Sequence, residues 1–307
     1  MKKERCRSWS LTVGALIVFF SAASSHGEEG VADGWFSSIS SLSGEYLAEE
    51  TYVGEAGVKR GSHAVDEFDE NDVILRFVLT PRTRLGVFRI GAEWERFWFG
   101  FPKNAPLPDT LQSISLVLGL DVQASDSILV RIEGQPGMYN TGVNDLSDDF
   151  NMPFVIGGTY IYNPNLQIIV GVSVDIERKY PVIPAAGFRW KVARQWVVDA
   201  VLPKPRIELE WNKNVTLYAG GEVKETNFRV DDQFGDRQGR PELNHAVLTY
   251  SEVRAGTGFD WKISPVLTLT AEAGYQPYRS FDFYRTDVNF HQDAAAPYGM
   301  LSLHGAF

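Results

Sequence analysis

The chain has 307 residues, 28 of them glycine, with 13% aromatic residues and a formal net charge of −10. This composition favours strands and turns over helices, and the acidity argues against nucleic acid as a partner. The single cysteine, Cys6, lies at the amino end, so the rest of the chain has no disulfide or thiolate metal site.

The first 27 residues have the three parts of a secretory signal. A basic start is followed by an apolar run of about ten residues at 11–20, too short to span a bilayer as a helix, and then by small residues. We predict that residues 1–27 are a signal peptide and that residues 28–307 form one exported domain. A membrane-anchor helix is the alternative, but no longer apolar run follows.

The predicted elements after the signal are strands with one apolar and one polar face. In chain order the alternation is clearest within 113–124, 163–177, 251–262 and 260–275. Side chains of a strand point to opposite faces in turn, so each segment predicts a two-faced strand. Several segments reach ten residues or more, which is the length that a membrane-spanning strand needs.

Short and long connections alternate between these strands. The short ones lie at 80–83, 125–127, 163–165, 193–195, 212–214 and 262–265. The other connections, most of them long, lie at 54–71, 99–110, 134–152, 178–183, 203–205, 230–245 and 280–296. This order predicts an all-β fold, a single antiparallel transmembrane β-barrel of about fourteen strands. Twelve is the fallback, because the two strands predicted within 196–211 look too short to cross alone.

Aromatic residues fall at the ends of the apolar faces. We predict that they form the aromatic girdle of a membrane barrel, with the members Trp94, Trp98, Trp190, Trp196, Trp211, Trp261 and Phe307. The alternative is that they cover the ends of a soluble sandwich core.

The mature chain resembles a family of uncharacterised bacterial outer-membrane β-barrel proteins of unknown function. The resemblance rests on the signal, the last strand "YGMLSLHGAF" and the segments "WVVDAVLPKPRIELEW", "LYAGGEV" and "RAGTGFDW". It implies location and fold, and no activity.

If the apolar face meets lipid, the opposite face lines the lumen. The basic residues predicted there are Arg76, Arg89, Arg131, Arg189, Lys191, Arg206, Lys224 and Arg254. The acidic ones are Glu93, Glu95, Asp121, Glu133, Asp175, Glu177, Glu208, Glu210, Glu222, Glu252, Asp260 and Glu272. Interleaved charges favour ion pairs across strands over rings of one sign.

The sequence indicates no catalytic residue, no cofactor and no strong metal site. A nucleophile needs a base within hydrogen-bond reach, and His304, the one histidine on a predicted strand, lies about 6 to 7 Å along it from Ser302. His63, His245 and His291 fall in predicted loops. Asp66, Asp69 and Asp72 are weak candidates for a divalent cation, without the spacing of a calcium loop.

We therefore expect an outer-membrane barrel, after signal-directed export, that passes small hydrophilic solutes through a mixed-charge lumen. The alternative is a structural or surface-interaction barrel whose lumen is closed by salt bridges, and an integral-membrane hydrolase is a distant third. The expected partners are outer-membrane lipids, lipopolysaccharide, and the barrel assembly machinery, which would recognise the terminal strand. The solute and the oligomeric state are left open.

Overall fold

The computed structural model describes residues 41–101, 105–142 and 149–307. The predicted signal peptide lies outside the described residues. The strands are β1 (Gly44–Arg60), β2 (His63–Leu79), β3 (Val87–Phe99), β4 (Thr110–Ser125), β5 (Ile128–Gly134), β6 (Gly137–Asn140), β7 (Phe150–Asn151), β8 (Phe154–Asn163), β9 (Leu166–Val174), β10 (Val182–Lys191), β11 (Trp196–Asp199), β12 (Arg206–Glu210), β13 (Val215–Arg229), β14 (Val247–Ser264), β15 (Leu267–Phe283), β16 (Val288–Gln292) and β17 (Ala296–Ala306). A short helix α1 (Phe234–Arg237) and a 3-10 turn (Pro241–Leu243) precede β14. Within the described ranges, no helix is long and apolar enough to cross a membrane.

These strands form one sheet that closes into a barrel. β1 pairs antiparallel with β2 on one side and with β17 on the other. Fourteen antiparallel strands make the wall, namely β1 to β5, β8 to β15 and β17, while β6, β7 and β16 belong to connections. The predicted fourteen-strand antiparallel barrel is confirmed.

The two strands around the prolines are indeed short. β11 has four residues and β12 has five. The turn between them continues the wall, because the Pro205 and Pro203 carbonyls accept hydrogen bonds from the Gly221 and Val223 amides of β13 at 2.9 Å each. Both strands therefore count toward the fourteen.

The barrel has two unlike ends. The six predicted short turns lie together at one end, here called the turn end, with the carboxyl-terminal residue Phe307 and the start of β1. The opposite end, here called the loop end, carries the longer connections and the tight hairpin between β1 and β2. This hairpin turns at Gly61, whose φ of 59° suits a residue without a side chain.

Two of the long connections predicted from the sequence are wrong. Most of 54–71 is strand, since β1 and β2 each run for 17 residues, and β15 continues to Phe283 inside the predicted loop 280–296. A membrane-spanning strand needs only about 9 to 11 residues, so the barrel continues beyond the thickness of a bilayer at the loop end. Outside the bilayer no lipid covers the wall, so its outward residues need not be apolar there.

The barrel wall is apolar on the outside and filled with side chains inside the loop end. Outward residues such as Leu116, Val170 and Leu301 are more than half exposed, as lipid contact requires. Inside the loop end, a cluster of buried side chains packs across the barrel; we call it the aromatic cluster, with the members Val58, Phe68, Phe97, Phe99, Leu107, Leu111, Tyr139, Phe228, Val230, Phe234, Leu243, Leu248, Tyr250, Phe281, Phe283, Val288 and Phe290.

Candidate functional site

The lumen of the turn-end half is an open cavity of about 700 Å³, which we call the chamber. Alternation along the strands places its side chains, since every second residue of each strand points inward. Its charged lining consists of Glu45, Glu49, Arg76, Arg89, Lys204, Arg206, Glu222, Asp260 and Glu272.

One ion-pair ladder runs across the first five strands. Arg76 contacts Glu93 at 2.9 Å and Glu133 at 2.6 Å, and Arg89 contacts Glu133 at 2.7 Å and Glu45 at 2.8 Å. Gly119 makes this possible, because a Cβ there would lie 3.3 Å from the Cβ atoms of both Arg89 and Glu133. The glycine thus leaves space for charges on non-adjacent strands to meet.

A second ladder joins the short strands to β10 and β14. Arg189 contacts Asp199 and Glu208, and Arg206 contacts Glu208 at 2.8 Å and Asp260 at 3.4 Å. Two further pairs stand alone in the turn-end half. They are Lys191 with Glu210 at 2.5 Å and Arg131 with Asp121 at 2.7 Å.

Glu272 differs from the other chamber carboxylates because its partners are tyrosines. It accepts a hydrogen bond from the hydroxyl of Tyr298, and it interacts with the hydroxyl of Tyr218. Gly258 makes room for one of them, since a Cβ there would lie 2.6 Å from the Tyr218 hydroxyl oxygen. No Lys, Arg or His side chain of the described chain lies within salt-bridge distance of Glu272.

Above the chamber, toward the loop end, the charges become buried. Lys224 contacts Asp72 at 2.8 Å and also Glu95. Arg254 lies 3.0 Å from Glu252.

The deepest ion pair of this layer joins Arg279 to Glu70. The two atoms lie 2.7 Å apart, with side chains that are 0% and 1% exposed. Tyr250 donates to the same Glu70 oxygen at 2.7 Å. Breaking such a pair leaves a buried charge without compensation, so this layer is energetically demanding.

The aromatic cluster closes the loop end directly above these charges. The ring of Tyr250 lies 4.9 Å from that of Phe97 and 5.1 Å from that of Phe281. Lys224 lies 4.6 Å from the centre of the Phe97 ring, and Arg279 lies 4.0 Å from that of Phe68, so cations and rings form one packed layer. The described lumen is therefore wide at the turn end and filled at the loop end.

The strands β8 and β9 carry no charged residue. Gly157 and Gly171 pair across β8 and β9 on the face that points inward. Leu129, Val155 and Ile183 share this face and stay exposed, at 42%, 42% and 37%. The part of the wall between the two ladders is therefore uncharged.

Most predicted lumen charges line the interior, but two lie elsewhere. Asp175 and Glu177 follow the end of β9 and hold the β9–β10 connection against β13. Asp175 accepts a hydrogen bond from Asn227 at 2.6 Å, and Glu177 contacts Arg229 at 2.7 Å. Their role is to fasten a connection at the loop end.

The three weak metal candidates are not brought together. Asp72 pairs with Lys224, while Asp69 lies on the opposite face of β2, where it accepts a hydrogen bond from Tyr52 at 3.3 Å. Asp66 is exposed near the hairpin tip. Among the described residues no cluster of His, Cys, Asp and Glu could hold a metal ion.

His304 contacts a hydroxyl other than the one considered from the sequence. Its Nε2 lies 3.3 Å from the Thr270 hydroxyl, which donates to Asp260 at 2.7 Å. The hydroxyl proton is thus directed at a carboxylate rather than at the imidazole, which is unlike an activated nucleophile.

The predicted girdle residues lie at the ends of the barrel wall. Trp190, Trp196, Trp211, Trp261 and Phe307 are 45% to 63% exposed near the turn end. Trp94 and Trp98 point outward near the loop-end side, 6.2 Å apart.

The connection between β13 and β14 covers part of the loop end. Arg237 donates to Asp231 at 2.9 Å, and the Gln233 amide donates to the same carboxylate at 3.0 Å. Burial tends to raise the pKa of Asp231, but these hydrogen bonds outweigh it and lower the pKa below its usual value.

Several interior residues were not found from the sequence. Glu45 and Glu49 lie on β1, Lys204 lies in a turn, and Glu70 and Arg279 lie in or beside predicted loops. A usable signal is the repetition of Phe at 97, 99 and 101 and at 281 and 283, where the apolar face has changed sides relative to the lipid-facing segments.

A closed fourteen-strand barrel with an apolar exterior and a charged lumen has the fold of outer-membrane β-barrel proteins. The chain belongs to the family described as a domain of unknown function (DUF6268), whose sequence profile matches residues 130–298, more than half of its length. The resemblance inferred from the sequence is therefore confirmed.

One solved structure supports the fold. The chain is similar to an outer membrane channel from Pseudomonas putida F1, with a TM-score of 0.50 at 7% identity, covering 91% of this chain and 100% of that one. The P. putida toluene transporter TodX gives 0.40 at 10% identity, covering 86% and 90%, and the NanC porin gives 0.39 at 9%, covering 85% and 98%. No curated protein matches the chain.

Proposed function

We propose that this protein is a channel of the bacterial outer membrane that passes small hydrophilic solutes through its mixed-charge lumen. The observation that carries the proposal is the chamber, a polar space of about 700 Å³ inside a barrel whose exterior is apolar. A barrel needed only as an anchor has no use for a water-accessible interior of this size.

The aromatic cluster would be the constriction of this channel. Its rings are held by ring contacts and by the side chains of Lys224 and Arg279. A solute that enters the chamber from the turn end meets this layer before it reaches the loop end. We expect a small conductance that depends on the bulk of these rings.

The filled loop end favours a second candidate, a barrel with a sealed lumen. The buried pair of Arg279 and Glu70 and the fully buried rings of Phe97 and Phe281 are what such a barrel would need. Its function would then lie in its loops and outer surface.

Single-channel recording in planar bilayers tests the two candidates. We expect the purified full-length barrel to give steady small steps, and the double variant Phe99→Ala, Phe281→Ala to give larger ones. Phe77→Ala is the matched control, because Phe77 is 47% exposed on the outer face and its loss leaves the lumen unchanged.

The outcomes separate the candidates. Silent bilayers for the wild type and the double variant would overturn the channel and favour the sealed barrel. Equal enlargement by Phe77→Ala would show that the cluster is not the constriction.

We also propose that the barrel resides in the outer membrane after removal of residues 1–27. Lipids would contact the apolar belt, lipopolysaccharide would meet the loop end, and the assembly machinery would read the last strand, β17. Folded outer-membrane barrels migrate differently on gels before and after boiling, and an unchanged migration would contradict this placement. We propose no catalytic role, and His304→Ala should leave lipase activity at the level of the wild type.

A further inference from the structure

The lumen of this barrel carries more carboxylates than cations, and the cations are already engaged. Within the described residues, ten lysine and arginine side chains of the lumen form ion pairs with fourteen carboxylates. Glu272 adds a further carboxylate without a cation.

Several carboxylates share one cation, so the cations do not balance the excess of negative charge in the lumen. Lys204 lies 3.0 Å from Glu222 and 3.9 Å from Glu49, so one cation serves two carboxylates. Arg206 does the same with Glu208 and Asp260. Glu222 also contacts Arg254, and Glu208 also contacts Arg189. Each of these networks still has one carboxylate more than it has cations, because Arg254 brings in Glu252 and Arg189 brings in Asp199. The low-dielectric barrel wall concentrates the field of this excess in the lumen.

Glu272 holds its charge in the open part of the chamber. Its carboxylate accepts a hydrogen bond from the Tyr298 hydroxyl, a neutral group that brings no positive charge to balance it. Because it lines the cavity, a solute in the chamber passes this charge.

From this arrangement we infer that the lumen passes cations in preference to anions and that Glu272 is a selectivity-determining residue. The inference rests on the proposed channel function and names its class of solute: inorganic cations and small organic cations such as primary amines. A cation replaces the missing partner of the carboxylates, while an anion adds to their repulsion.

Selectivity is measured from the reversal potential of the full-length barrel in a planar bilayer between two KCl concentrations. We expect the reversal potential to have the sign of the potassium equilibrium potential, which indicates a preference for cations. We expect it to move toward zero when the salt is raised from 0.1 M to 1 M, because the screening length falls from about 10 Å to about 3 Å.

Three variants assign the effect. Glu272→Gln keeps a hydrogen-bond acceptor for the tyrosines and should shift the potential toward chloride. Lys204→Met removes a lumen cation and should shift it further toward potassium. Asp126→Asn removes a charge in the exposed turn between β4 and β5 and should leave it unchanged.

The two proposals fail in different ways. Open channels with a reversal potential on the chloride side would overturn the selectivity and leave the channel standing. A cation preference that Glu272→Gln does not alter, in a variant that folds and conducts, would overturn the role of Glu272. A silent bilayer would overturn both, since no ion would then be selected.

Discussion

Arg131 in the turn-end half and Arg279 in the loop-end half each pair with one carboxylate at 2.7 Å, yet their surroundings differ completely. The side chain of Arg131 is 51% exposed and that of its partner Asp121 is 30% exposed. Arg279 and Glu70 are 0% and 1% exposed. An arginine and a carboxylate therefore form a screened pair in water at one end and a desolvated pair under aromatic rings at the other.

This difference divides one barrel into two physical regimes. In the turn-end half, water screens an exposed pair such as Arg131 with Asp121, so that pair contributes little to folding. At the loop end, rings exclude water, so each charge depends on its partner. We expect stability to be concentrated at the loop end, and permeation and selectivity to be set in the chamber.

The largest expected effect breaks the buried pair. Arg279→Met leaves the Glu70 carboxylate buried without its cation and also removes the cation from the face of the Phe68 ring. We expect the free energy of unfolding to fall by about 3–5 kcal/mol. Urea unfolding in lipid vesicles, followed by tryptophan fluorescence, measures it.

A double variant provides the control for this pair. Arg279→Met with Glu70→Gln removes both charges and keeps an acceptor for Tyr250, so most of the lost stability should return. A double variant as unstable as the single one would show that the loss comes from packing and not from the unpaired charge.

An intermediate effect is expected from one hydroxyl. Tyr250→Phe removes the donor to Glu70 at 2.7 Å and to Glu252 at 3.2 Å, leaving buried acceptors without it. The free energy of unfolding should fall by about 1–3 kcal/mol in the same assay. Tyr160→Phe, at a tyrosine 47% exposed on the outer face, is the matched control and should change it by less than about 0.5 kcal/mol.

The contrast between the halves also explains what the sequence could predict of the fold. Where lipid covers the wall, apolar residues must face outward. The alternation that includes Ile168 and Val170 therefore predicts the strand β9 from the sequence. Beyond the lipid the apolar residues turn inward, as Val58 and Phe68 do, and the outer face becomes polar. An apolar outward face then no longer marks a strand, which is why 54–71 was predicted to be a loop.

The sequence predicts which side chains of the site point into the lumen, but it does not predict which of them contact each other. Alternation places Glu93 and Glu133 inside without any structure. The bridge that Arg76 makes to both depends on the stagger of the strands and on Gly119, and Arg76 and Glu133 are 57 positions apart in the chain. Lys204 lies in a turn, where no periodicity assigns a face.

The smallest expected effect is the most direct test of the comparison, because it repeats the chemistry of Arg279→Met in the turn-end half of the barrel. Arg131→Met removes the cation of an exposed pair and leaves Asp121 in contact with water. Since water replaces the lost partner, we expect the free energy of unfolding to fall by less than about 1 kcal/mol. The removed positive charge should still add to the cation preference of the lumen. A loss as large as that of Arg279→Met would mean that water does not reach this part of the lumen, and the contrast between the two halves of the barrel would then be wrong.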